Sequence, residues 1–84
     1  MPDTTAEVRQ RIRELLEGVF GGPSFVARLQ DTVSLREAGV PSTALVALLV
    51  VMEDAFGFEW QDDVRPEVLR SIDSLARHVV AQRG

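Results

Sequence analysis

The run Ala44 to Phe56, entered through Gly39-Val40-Pro41-Ser42-Thr43 and closed by Gly57, constrains this chain more than any other stretch. From Ala44 to Met52 every residue is apolar. Such a run has two exits from water: a bilayer or a protein core. Crossing a bilayer as a helix takes roughly 17–25 apolar residues, so this run must be packed into a core instead. Pro41 or Ser42 starts a helix here, and Gly57 is a natural stop for one ending near Phe56. Val46, Leu49, Glu53 and Phe56 form one stripe, and Leu45, Leu48, Met52 and Phe56 form its neighbour. Together they cover more than half of the circumference, so the remaining helices must assemble around this one.

Those helices are legible on either side. Thr4 and Glu7 have the spacing of a capping box, and Val8, Ile12, Leu15, Leu16, Val19 and Phe20 then mark one helical face. Gly21-Gly22-Pro23 ends that helix. From Gly21 to Pro41 no period is sustained, although Phe25 to Leu29 has the makings of one helical turn. A loop of about twenty residues is long for a small domain. Its scattered apolar residues (Phe25, Val26, Leu29, Val33 and Leu35) suggest that it is pinned across a bundle. Pro66 opens a short helix to Arg70. Ser71 or Asp73 caps a last helix whose apolar face is Ile72, Leu75, Ala76, Val79 and Val80, and Gln82-Arg83-Gly84 frays. No alternation of period two occurs anywhere. The expectation is one all-α domain over residues 1–84: a four-helix bundle with three longer helices, one short helix and a long first loop.

Composition narrows the function. The net charge is −4, and nucleic-acid binding would need a basic face, so no nucleic-acid partner is expected. There are no cysteines, hence no disulfide frame and no thiolate chemistry. Met1-Pro2-Asp3-Thr4-Thr5 lacks the basic-then-apolar order of a signal peptide, so the chain reads as cytoplasmic, without a membrane partner. The single histidine, His78, lies beside the last helix's apolar stripe and reads as a partly exposed surface residue. The carboxylates Glu53-Asp54, Glu59 and Asp62-Asp63 have no calcium-loop spacing, and no metal site is expected. Gly21-Gly22 is followed by Pro23, not by a helix start, so no phosphate loop is expected either. No catalytic constellation emerges. Trp60 closes the core between the second and third helices or lines a pocket for a bound group.

Ser42 stands out by position. In one reading it is a helix N-cap. In another it bears a phosphate-linked group, because free backbone N–H groups and the positive end of the helix dipole stabilise an anion there.

The order of elements and several segments resemble the acyl and peptidyl carrier protein family. Leu35 and Ala38-Gly39 resemble the approach to its modified serine, and Ser42 falls at the serine of its Asp-Ser-Leu. Val46, Leu49, Met52 and Phe56 match its apolar second helix. Glu53-Asp54-Ala55-Phe56-Gly57-Phe58-Glu59 is similar to its Glu-Glu-x-Phe-Gly-Ile-Glu, and Ser71-Ile72 to the Thr-Val opening its last helix. The resemblance implies a non-catalytic carrier with 4'-phosphopantetheine on Ser42, taken from coenzyme A. It also implies three kinds of partner: a phosphopantetheinyl transferase, an acyl- or aminoacyl-loading enzyme and a downstream synthase. Polyketide, nonribosomal peptide and fatty-acid-like biosynthesis are the settings it suggests.

Pro41 and Thr43 replace the family's aspartate and leucine beside the serine. Thr43, Ala44, Ala47, Val50 and Val51, with Glu53 and Asp54 at the end, stand where partners would dock. That face is apolar, so docking by apolar burial and a monomer or weak homodimer are expected. The alternative function is a carrier-like docking or dimerisation module that is never modified. Asp73-Ser74-Leu75 also reads as Asp-Ser-Leu, but no long apolar helix comes after it, and a helix cap accounts for it.

Overall fold

The computed structural model describes residues 4–61 and 64–83, with the Arg83 side chain outside that set; Met1–Asp3, the acidic step Asp62-Asp63 and Gly84 lie outside the described residues. The described residues are all helical or irregular, with no strand. The elements are α1 (Thr5–Val19), α2 (Gly22–Arg28), α3 (Ser42–Phe56), a 3₁₀ turn (Pro66–Leu69) and α4 (Ile72–Arg83). This is the all-α bundle expected of the chain. The long apolar helix is α3, because α2 folds inside the expected first loop.

Helix α1 packs against α2, α3 and α4. Thr4 caps it by accepting the Glu7 N–H at 3.1 Å, while its hydroxyl donates to the Glu7 carboxylate at 2.9 Å. Val8, Ile12 and Leu16, spaced four apart, are fully buried. They meet Ala44, Leu48, Met52 and Phe56 of α3 and Ile72, Leu75, Ala76 and Val79 of α4 in one core. Gln82 and Arg83, expected to fray, belong to α4.

Helix α2 corrects the reading of Gly21-Gly22-Pro23 as a mere terminator. The same three residues that end α1 begin α2. Gly21 takes φ 82°, a left-handed conformation, and a Cβ there would collide with the Phe25 ring. Pro23 lies in the first turn, where its missing N–H costs no helical bond. Phe25 closes edge-on against Phe20, ring centres 5.4 Å apart, which folds α2 back on α1.

The rest of the loop is pinned by backbone bonds. The Leu35 N–H donates to the Arg70 carbonyl at 2.9 Å, and the Asp73 N–H to the Asp31 carbonyl at 2.8 Å. Arg13 of α1 donates to the carbonyls of Val26 (2.8 Å) and Leu29 (2.6 Å) and pairs with Asp31 at 2.6 Å. Arg9 bridges Asp31 and Asp73 at 3.1 and 3.2 Å. Leu29, Leu35 and Val40 thereby reach the core, and the loop delivers Pro41 to the head of α3.

Candidate modification site and docking face

Ser42 is the first residue of α3, and it is exposed. Its N-cap is Pro41, whose side chain accepts no hydrogen bond. The first α3 bond is from the Leu45 N–H to the Pro41 carbonyl at 3.0 Å, so the Ser42, Thr43 and Ala44 amides have no helical acceptor. The Ser42 hydroxyl makes no hydrogen bond to another described residue. Of the two sequence readings, the N-cap is therefore excluded: Ser42 stands inside the helix, and its side chain caps nothing. The result is an unengaged hydroxyl beside uncapped amides at the positive pole of a 15-residue helix.

Ser74 is the opposite case. Its hydroxyl donates to the Val68 carbonyl at 2.8 Å and accepts from the Ser71 N–H at 2.9 Å. The Ser71 hydroxyl in turn accepts the Ser74 N–H at 3.1 Å. Both serines are consumed in capping α4.

The face of α3 that points to solvent differs from the expected one at four positions, Ala44, Val46, Val51 and Glu53. Thr43, Ala47, Val50 and Asp54 are exposed as expected. Ala44 is not: it is only 7% exposed, because it starts the every-fourth-residue stripe that meets α1. Val51 is half-buried against the core. Val46, expected on the inner stripe, is 60% exposed and stands with Val50 (58%) as a large outward hydrophobic. A helix that is apolar all round carries little phase information, so a shift of less than half a turn went unmarked. Glu53 is half-buried and accepts the Trp60 N–H at 2.9 Å.

Trp60 ties the segment after α3 back onto the bundle. Its indole N–H donates to the Leu49 carbonyl at 3.0 Å, and its ring stacks on His78 of α4 at 5.0 Å and 13°. Phe58 packs edge-on against Trp60 at 4.9 Å. Trp60 thus joins α3 to α4, where the sequence placed it between the second helix and the short third one. His78 is partly exposed, as expected, but its Nε2 is buried and has no hydrogen-bond partner among the described residues.

A cleft of ≈ 470 Å³ opens between the loop, α3 and the 3₁₀ turn. Leu45, Leu69 and Pro66 form its apolar wall, with Ser34, Arg36, Glu67 and Arg70 around them. Leu45 lies three residues beyond Ser42, on the same flank of α3. The sequence offered Leu45 only as a core residue. The cleft depends on the loop meeting the 3₁₀ turn through the Leu35–Arg70 bond, a contact without a local signal. Among the described residues no group of three or more His, Cys, Asp or Glu could hold a metal ion, and no helix is long and apolar enough to cross a membrane.

The long apolar helix of the bundle thus presents an exposed serine, Ser42, at its head. Aminoacyl carrier protein 1 of Bradyrhizobium diazoefficiens is 30% identical to this chain over 77 residues, 90% of this chain and 86% of that protein. The chain belongs to the acyl and peptidyl carrier protein family. No family model matches it, and no solved structure does.

Proposed function

We propose that this protein is a discrete carrier whose acyl, aminoacyl or peptidyl intermediate rides as a thioester on a 4'-phosphopantetheine arm at Ser42. The observation that carries the reading is the exposed Ser42 hydroxyl, bonded to no other described residue and set beside uncapped amides. These residues fit the group. The hydroxyl supplies the oxygen of the phosphodiester, and the first-turn N–H groups and helix dipole favour its negative charge. When bound, the arm supplies a terminal thiol, which this cysteine-free chain lacks. Pro41 and Thr43 stand where the family has an aspartate and a leucine, so a transferase would have to dock here without those two side chains.

The chain's own residues hold the serine and catalyse nothing. Helix α3 fixes Ser42 by burying Ala44, Leu48, Met52 and Phe56, and the Trp60 clasp holds the helix's far half. A phosphopantetheinyl transferase, a loading enzyme and a synthase would be the partners, in the cytoplasm. The name of the Bradyrhizobium relative favours an aminoacyl cargo over a fatty one. Polyketide, nonribosomal peptide and fatty-acid-like assembly remain the settings the reading allows.

The exposed Val46 and Val50 favour a second reading, a carrier-like docking module that is never modified. Intact mass after incubation with coenzyme A and a promiscuous transferase decides between them. The carrier reading expects one arm's mass on the wild-type chain and none on Ser42→Ala. No gain on the wild-type chain supports the docking module.

A further inference from the structure

The outward stripe of α3 is complementary to itself. Thr43, Val46, Ala47, Val50 and Asp54 succeed one another at helical spacing, and all are exposed. Between Ser42 and Met52 no residue is charged, so nothing on the stripe repels an approaching apolar surface. The stripe's two ends are electrically unlike. At the head, the amides of Ser42 to Ala44 lack a side-chain cap and sit at the positive pole of the dipole. At the tail, the Asp54 carboxylate is exposed and makes no ion pair with another described residue. Parallel pairing of two such helices sets like ends together. Antiparallel pairing about a two-fold axis sets Val46 and Ala47 of one copy against Val50 of the other. It also sets each Asp54 beside Thr43 and the open first turn of the other copy. Ala47, small and central, lets the two helices approach.

We infer that the occupant of this face in the unmodified protein is a second copy of the same chain, paired antiparallel through α3. A two-fold contact buries the same patch twice and satisfies both helix heads at once. A single helix face falls short of the roughly 1,200 Å² at which stable interfaces begin, so the dimer is reversible and forms at high concentration. Ser42 adjoins Thr43 at the edge of this contact, so dimer and transferase compete for the head of α3. That consequence for Ser42 rests on the carrier reading; the association itself does not.

The test is sedimentation velocity of the full unmodified chain from about 10 μM to about 1 mM, a span covering weak association. The weight-average mass of the wild-type chain should rise toward that of a dimer. Val50→Asp should stay monomeric throughout, and Asp54→Arg should weaken association about tenfold or more. Both variants change exposed positions, and circular dichroism verifies that they fold. Geometry is read by cysteine cross-linking, for which a cysteine-free chain is a clean background. Under mild oxidation, Ala47→Cys mixed with Val50→Cys should yield a disulfide-linked dimer, while Thr43→Cys alone should not. A chain that stays monomeric at the highest concentration overturns the inference and leaves the face to a different protein. Self-linking of Thr43→Cys overturns the antiparallel arrangement. Arm attachment, read by intact mass on dilute protein, is unaffected by either result, so failure of the carrier reading is seen separately.

Discussion

Ser42 and Ser74 each stand in the first turn of a helix, α3 and α4 respectively, and each matches the serine of the family's motif in its own way. Their hydroxyls are in different situations. Ser42 is bonded to nothing among the described residues, so Ser42→Ala should change folding stability by no more than about 0.5 kcal/mol while abolishing arm attachment. Ser74 both donates and accepts, and its loss leaves the Ser71 amide and Val68 carbonyl short of a partner. Ser74→Ala should cost about 1–2 kcal/mol and leave arm attachment intact. Urea melts of both variants beside their intact masses test the pair. If the mass gain tracks Ser74 instead, the assignment of Ser42 is reversed. In sequence these two serines differ on both sides: Ser42 stands between Pro41 and Thr43 with a long apolar helix after it, whereas Ser74 stands between Asp73 and Leu75 with no such apolar run after it. That one hydroxyl is occupied and the other idle is not legible there, because it depends on where Val68 comes to lie.

At the scale of elements, α3 decides the bundle. Its stop is well built: Gly57, at φ 70°, and Phe58 both donate to the Glu53 carbonyl, at 2.9 and 3.3 Å. Just before that stop, Phe56 fills the core at the point where the chain turns toward Trp60. Phe56→Ala should cost about 3–5 kcal/mol, a large share of what a domain this small has. A melting temperature unchanged from wild type would mean that the ring is not packed. Element legibility tracked periodicity. Helices α1 and α4, with one apolar stripe each, were readable to their faces. Helix α3 was readable as a helix but not in phase, and so Ala44 and Val46 changed places between inside and outside. Helix α2 was legible only as a turn at Phe25 to Leu29, because Gly21-Gly22-Pro23 is punctuation for both neighbours, and the Phe20–Phe25 contact shows on which side the chain resumes.

The whole molecule is held by contacts with no local signature. The Arg9–Arg13–Asp31–Asp73 network joins α1 to the loop and to the head of α4, and Arg77 adds a bond to Asp73 at 2.9 Å. Arg9 is its centre, and Arg13, at one end, has a side chain only 20% exposed. Arg13→Ala strips a donor from two carbonyls as well as an ion pair and should cost about 1–3 kcal/mol. Arg13→Lys should recover only part, since an ammonium cannot reproduce the guanidinium fork. A urea titration of the three proteins reads the order directly; equal midpoints would show the network to be decoration. In sequence these arginines looked like the solvated side of an amphipathic helix, because their partners lie 18 and 64 residues away. The Trp60 clasp has a consequence for optical work on this protein. The chain has one tryptophan and no tyrosine, so its near-ultraviolet emission comes from a single ring anchored to Leu49 and stacked on His78. That ring bridges α3 and α4, and its environment changes when the two helices part. Emission and far-ultraviolet ellipticity should therefore trace one curve in denaturant, and the molecule serves as its own fluorophore, with no dye attached near Ser42.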